Sequence, residues 1–188
     1  MACLLWFTAQ CGYEDTFSTA SLGSMPELTI VIADETMVDD AWMLMQEFYA
    51  SVASFSGEMQ SPEKAKFLNY WRPTDARIIF LEYSGGVPVG ICLLQELAKG
   101  FDAQKYLELG AIYLREAYRK GFNAQRMFRE CINLSHTRLL PLVSEVSPEN
   151  IKSIQLVRAL GKRITKSKAS YMEHLLDGGQ IKLVYQPC

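Results

Sequence analysis

Apolar positions in this chain are spaced in two ways, about every second residue in some stretches and at about 3.6 residues in others. Thr29 to Ala33 (TIVIA) is a short β-branched run and reads as a strand. Asp34 to Asp40 is acidic and suits the first turn of a helix reaching about Ala53, with Met43, Phe48, Tyr49 and Val52 near helical spacing. Ser61-Pro62-Glu63 has the form of a helix start, for a second helix to about Tyr70. Arg77 to Tyr83 is a strand, Gly85-Gly86 a turn, and Val87 to Leu97 the returning partner. After a turn at Lys99-Gly100, Tyr106 to Leu114 forms a fourth strand.

The clearest helix runs from Asn123 to about His136. Ala124, Met127, Phe128, Cys131, Ile132 and Ser135 share one face at steps of three and four. Leu139 to Val146 reads as a buried strand. Ser147-Pro148 would cap a helix that closes at Leu160-Gly161, with Gly161 just past its end. Lys168 to Leu175 and Ile181 to Tyr185 are the last strands, joined through Gly178-Gly179. The order β-α-α-β-β-β-α-β-α-β-β predicts an α/β fold with a central mixed sheet and helices on both faces.

Composition adds bounds. The chain has 188 residues, enough for one domain with a substantial core. Residues 1–24 show no sustained period and are expected to be a tail, with Met25 a candidate start and 25–188 the domain. No apolar run approaches the roughly 20 residues that span a bilayer. The five cysteines fit neither a metal knuckle nor a disulfide framework, so reduced thiols in a cytoplasm and no metal are expected. His136 and His174 lack ligand-spaced partners and read as structural or solvated.

The net charge of -2 conceals an asymmetry. Residues 1–100 hold 13 acidic and 5 basic side chains, and residues 101–188 hold 8 acidic and 14 basic. An anionic ligand held by the second half would suit that division, and so would an uneven solvated surface. The basic positions Lys152, Arg158, Lys162, Arg163, Lys166 and Lys168 allow the same two readings. A sequence pI near 5.8 without a basic–aromatic repeat argues against a dedicated nucleic-acid binder.

The segment Tyr106 to Met127 (YLELGAIYLREAYRKGFNAQRM) carries the first candidate chemistry. A strand ends, a basic turn with a glycine follows, and a helix opens. That order aims backbone N–H groups and a positive helix end at one point, as phosphate binding requires. Arg119 and Lys120 add charge there. The second segment, Leu142 to Gly161 (LVSEVSPENIKSIQLVRALG), is a strand followed by a helix with Asn150 at its start.

Together, over roughly Thr29 to Tyr185, these segments resemble the GCN5-related N-acetyltransferase family. The first is similar to its acyl-CoA loop, Q/R-x-x-G-x-G/A. Gly121 and Asn123 can take the glycine slots with Tyr118 in the basic one, or Phe122 and Ala124 can take them with Arg119. The first placement is preferred because Asn tolerates left-handed backbone better than Phe. The second segment is similar to the pattern N-x-x-A/S-x-x-L-x-x-x-L-G through Asn150, Ser153, Leu156, Leu160 and Gly161.

The resemblance implies transfer of an acetyl or other acyl group from acetyl-CoA to a primary amine of a small molecule or protein. Direct attack in a ternary complex is expected over an acyl-cysteine route, since Cys92 and Cys131 sit in apolar patterns with no His beside them in sequence, and a homodimer is compatible with the reading. Backbone groups of Ile112, Tyr113 and Leu114 would hold the thioester and pantetheine. Arg119, Lys120, Gly121, Phe122, Asn123 and Ala124 would hold the pyrophosphate, with Asn150 and Ser153 beside the pantetheine. The string SEVSPEN is similar to that around the strand-end glutamate of bacterial ribosomal-protein N-acetyltransferases, which makes Glu145 the candidate base and Glu108 the alternative. Val157 stands where the family often has a thiolate-protonating Tyr, leaving Tyr113, Tyr171 or water for that role. The same departure favours a catalytically inactive acyl-CoA-binding or interaction domain as the alternative.

Overall fold

The computed structural model describes residues 27–56, 63–99, 104–119, 123–148, 150–164, 169–176 and 181–187. The expected tail, and the site candidates Lys120, Gly121 and Phe122, lie outside these residues. The strands are β1 (Leu28–Ile32), β2 (Arg77–Ser84), β3 (Val87–Lys99), β4 (Gln104–Leu114), β5 (Leu142–Val146), β6 (Ala169–Leu175) and β7 (Ile181–Pro187). The helices are α1 (Val38–Ser56), α2 (Lys64–Trp71), α3 (Asn123–Arg138) and α4 (Ile151–Ile164), with 3-10 turns at Glu35–Met37 and Glu116–Tyr118. The seven strands form one sheet ordered β1-β2-β3-β4-β5-β7-β6. β4 and β5 are parallel and every other pair is antiparallel.

Two apolar layers sandwich this sheet. On one face, α1 and α2 bring Trp42, Leu44, Met45, Phe48, Phe67 and Trp71 onto Ile79, Leu81, Ile91 and Leu93. On the other, α3 lies over β4, β5 and β7 and α4 over β6 and β7, in one layer with Ile78, Phe80, Cys92 and Leu94. Tyr185 shows that α3 and α4 share a face, since its ring meets Phe128 at 5.3 Å while its hydroxyl donates to the Val157 carbonyl at 3.0 Å. The predicted face of α3 is the buried one, with Met127, Phe128, Cys131, Ile132 and Ser135 inside. Tyr70, near the end of α2, is exposed and hydrogen-bonds Gln95.

Three boundaries move. Leu139 is not in β5; it takes a left-handed φ of 53° and ends α3. Its N–H donates to the His136 carbonyl (3.2 Å) and that of Leu140 to Ser135 (3.1 Å), the paired bonds of a Schellman stop. α4 is capped by Asn150 rather than Ser147-Pro148, and it runs through Gly161 to Ile164. α2 is preceded by Glu63, whose side chain makes no cap bond, and Ser61 and Pro62 lie outside the described residues. Gly85 and Gly86, at φ 55° and 81°, make the β2–β3 turn as read, because two consecutive positive φ values suit a two-residue hairpin.

One buried acid stands out. Glu82 on β2 is fully buried against α3, and neither carboxylate oxygen has a hydrogen-bond partner. Burial pushes its pKa up to about 7, partly opposed by Arg126, whose Nη1 lies 3.9 Å away.

Candidate functional site

β4 and β5 pair over only two residues each. The ladder consists of Leu107↔Leu142 and Glu108↔Val143, and from Leu109 onward β4 pairs with β3 alone. At the point of parting, β4 carries a bulge, since Leu94 pairs with Leu109 and Leu93 with Ala111, so Gly110 is the extra residue. A bulge bends its strand and interrupts pairing, and here it turns β4 away from its neighbour. The result is a V-shaped opening between two parallel strands.

Backbone donors face that opening. Arg115 N–H donates to the Val89 carbonyl on β3 at 2.9 Å. Alternation along β4 therefore turns the amides of Leu114 and Ile112 toward the β5 side, while that of Tyr113 turns to β3. Of the three residues named from sequence, two have amides aimed into the V.

The V is flanked by the starts of two helices. α3 opens at Asn123, with no acidic residue in its first turn, so the partial positive charge of its free amides is not offset there. Asn123 is helical rather than left-handed, so the conformational reason for preferring it in the second glycine slot does not hold. Its side chain instead ties the turn, donating to the Tyr118 carbonyl at 3.0 Å. Ala124 follows it, partly buried against the core. α4 opens at Asn150, whose Oδ1 accepts from the Ser153 N–H at 3.1 Å. Both residues are buried.

Arg119 is held at the end of β4. Its Nε donates to the Leu114 carbonyl at 2.7 Å, and its guanidinium lies 5.5 Å over the Tyr113 ring. On the α1 face, Tyr113 donates to Glu47 at 3.3 Å, and Arg115 forms a two-pronged pair with that carboxylate at 2.7 and 3.0 Å. Burial foremost, then the Glu47 charge, raises the Tyr113 pKa. Glu47 and Arg115 went unnoticed in the sequence because 68 residues separate them.

The two candidate bases come together on the α1/α2 face. Glu108 pairs with Val143 and Glu145 lies two residues further along β5, so both carboxylates project to one side. Burial raises the Tyr106 pKa, and the charges of Glu108 and Glu145 add to the shift. Lys182 on β7 stands directly across from Glu145, its ammonium 5.9 Å from the Tyr106 ring. Tyr106 and Lys182 were likewise missed, since only the register aligns them with the acids. Val157, where the family often has Tyr, is buried in the core. His174 on β6 pairs with Lys182 in the register, and Arg158 of the basic run pairs with Glu173 (Nε to Oε2, 3.0 Å). Among the described residues no three His, Cys, Asp or Glu gather as metal ligands, and no helix is long and apolar enough to cross a membrane.

No family model and no curated protein sequence matches the chain. Solved structures do. The aminoglycoside N-acetyltransferase AAC(6')-Iy, in complex with the bisubstrate analogue CoA-S-monomethyl-acetylneamine, is 18% identical with a TM-score of 0.59, covering 72% of this chain and 90% of that one. The ribosomal-protein-S18-alanine N-acetyltransferase of Escherichia coli is 15% identical with a TM-score of 0.57, covering 86% and 93%. The ribosomal-protein-alanine N-acetyltransferase of Brucella melitensis is 13% identical with a TM-score of 0.57, covering 71% and 90%. The mixed seven-stranded sheet, the parting of β4 from β5 and these likenesses agree: the chain has the fold of the GCN5-related N-acetyltransferases.

Proposed function

We propose that this protein is an N-acyltransferase that moves an acetyl group from acetyl-CoA to a primary amine by direct attack in a ternary complex. The observation that carries the reading is the V between β4 and β5, which aims the Ile112 and Leu114 amides at one cleft beside the start of α3. Backbone donors fixed in advance are what a developing thioester oxyanion requires. The pantetheine runs along β4 past Tyr113, with Asn150 and Ser153 opposite. The pyrophosphate sits at Arg119, Lys120, Gly121, Phe122, Asn123 and Ala124. Arg119 reaches it by exchanging the Leu114 carbonyl for phosphate oxygens.

The reaction then needs proton transfers and little else. The amine nitrogen bonds the acyl carbon, the C–S bond breaks, and sulfur leaves with the electron pair. Glu145, or Glu108 beside it, takes the amine proton. Tyr113 or water returns one to the thiolate. An acyl-cysteine route is disfavoured, because Cys92 and Cys131 are fully buried and burial raises the Cys92 thiol pKa well above its usual value.

Incubation with acetyl-CoA and a primary amine tests the proposal. Free thiol and N-acetyl product should appear in equal amounts by mass spectrometry. Thiol release with no N-acetyl product would overturn it. Val157 and the Arg119–Leu114 bond favour a second reading, an acyl-CoA-binding domain without turnover. Under that reading acetyl-CoA binds and no thiol appears.

A further inference from the structure

The acceptor face carries a charge arrangement that a plain amine would not need. Glu145, Lys182 and His174 form one row across three strands, because Lys182 pairs with both of the others in the register. The row behind it runs from Glu108 through Val143 and Val184 to Met172. Val143 and Val184 are buried, so an apolar floor lies beside the charged row. Directly opposed side chains in an antiparallel pair sit about 4.5–5.5 Å apart at Cβ, close enough for Glu and Lys to bond. Yet among the described residues Glu145 and Lys182 form no ion pair or hydrogen bond, with each other or with any other side chain. Lys182 rests instead over the Tyr106 ring at 5.9 Å. Opposite charges thus stand side by side, partly buried and unjoined.

We propose that the acceptor is a zwitterion of the α-amino-acid kind, its amine between Glu108 and Glu145 and its carboxylate at Lys182. This rests on the acyltransferase reading above. An α-amino acid carries its ammonium and carboxylate on one short unit, compact enough for side chains of adjacent strands, about 4.8 Å apart, to meet both at once. Its amine then lies within hydrogen-bond reach of a carboxylate that can take its proton. Lys182 also excludes. A polyamine or other polycation would bring a second ammonium against it, and like charges brought together at a binding surface cost several kcal/mol. His174, next in the row, adds a second donor for the carboxylate.

The test compares each amino acid with its own carboxamide, alongside a polyamine, on the full chain with saturating acetyl-CoA. Acetyl-CoA binding is measured separately by calorimetry. The free acid should exceed its amide at least tenfold in kcat/KM. Lys182→Met, which keeps the stem over Tyr106, should abolish that preference by raising KM for the acid with little change in kcat. Lys182→Glu should favour the amide. Equal use of acid and amide, preference for the polyamine, or an unchanged ratio in Lys182→Met would overturn the inference while leaving the acyltransferase reading in place. Acetyl-CoA binding with no turnover of any amino acid would also overturn it. Absence of acetyl-CoA binding would remove the acyltransferase reading, and this inference with it.

Discussion

Glu108 and Tyr113 project from the same face of β4 although five positions separate them. Strict alternation would send them to opposite faces. The bulge at Gly110 absorbs one residue, so Leu107 and Leu109 before it, and Ile112 and Leu114 after it, all enter the layer beneath α3, while Glu108 and Tyr113 face α1. A candidate base and a candidate acid are thereby placed on one face of the sheet.

That placement makes the carboxylates separable by mutation. Glu145→Gln should keep acetyl-CoA affinity and lower turnover by about 10²–10⁴-fold, the usual range for loss of a general base. The parent pH–rate profile should have an acid limb that the variant lacks. If Glu145→Gln is normal and Glu108→Gln is impaired, the base lies on β4. Normal rates in both would leave deprotonation to water.

Glu82 predicts a pH dependence of stability. Its folded pKa of about 7 lies above the ordinary 4.5, so the folded state holds the proton more tightly than the unfolded chain. Stability contributed by this residue is therefore greatest below about pH 4.5 and falls as pH rises toward 7. At about 1.4 kcal/mol per pH unit the loss is about 3 kcal/mol. Glu82→Gln should raise the melting temperature at pH 8 by several degrees and change it little at pH 5. Parallel curves for the two proteins across that interval would refute the assignment.

Leu139 occupies a position that favours glycine. Its left-handed φ of 53° strains a branched residue by roughly 1–2 kcal/mol, and its side chain is exposed, so packing returns little. Leu139→Gly should stabilise the fold by up to about 1 kcal/mol once the freer unfolded chain is allowed for. Denaturant unfolding measures this, and a destabilised variant would show that Leu139 packs in a way its exposure hides.

Asn150 should matter to the fold as well as to any cofactor. Replacing it with Ala removes the bond to the Ser153 amide at a buried helix start. A loss of about 1 kcal/mol is expected. An unchanged melting temperature would mean that another group caps α4.

The element order and the inward face of α3 were legible because hydrophobic spacing is a local property. Helix ends were less so. Leu139 continues an apolar run into β5, and only the three-dimensional Schellman bonds show that it ends α3. Gly161 looked like a stop, but α4 continues past it to Ile164. At the site, Glu145 could be named from the string around it and Glu108 from its place on the fourth strand. Their grouping with Tyr106 and Lys182 depends on a β4–β5–β7 register joining residues up to 76 positions apart, from Tyr106 to Lys182, and no local pattern encodes it. Glu47 and Arg115 met for the same reason, through α1 crossing β4.

Everything proposed for the site depends on acetyl-CoA binding in the V between β4 and β5. Thermal unfolding of the full chain with increasing acetyl-CoA tests it most directly. Ligand at about 100 times its dissociation constant stabilises a one-site protein by about 2.7 kcal/mol. For a chain of this size that corresponds to a rise of roughly 5–10 °C in melting temperature. The melting temperature should rise by that order and keep growing with the logarithm of ligand concentration. A cooperative transition that stays in place up to millimolar acetyl-CoA would contradict it.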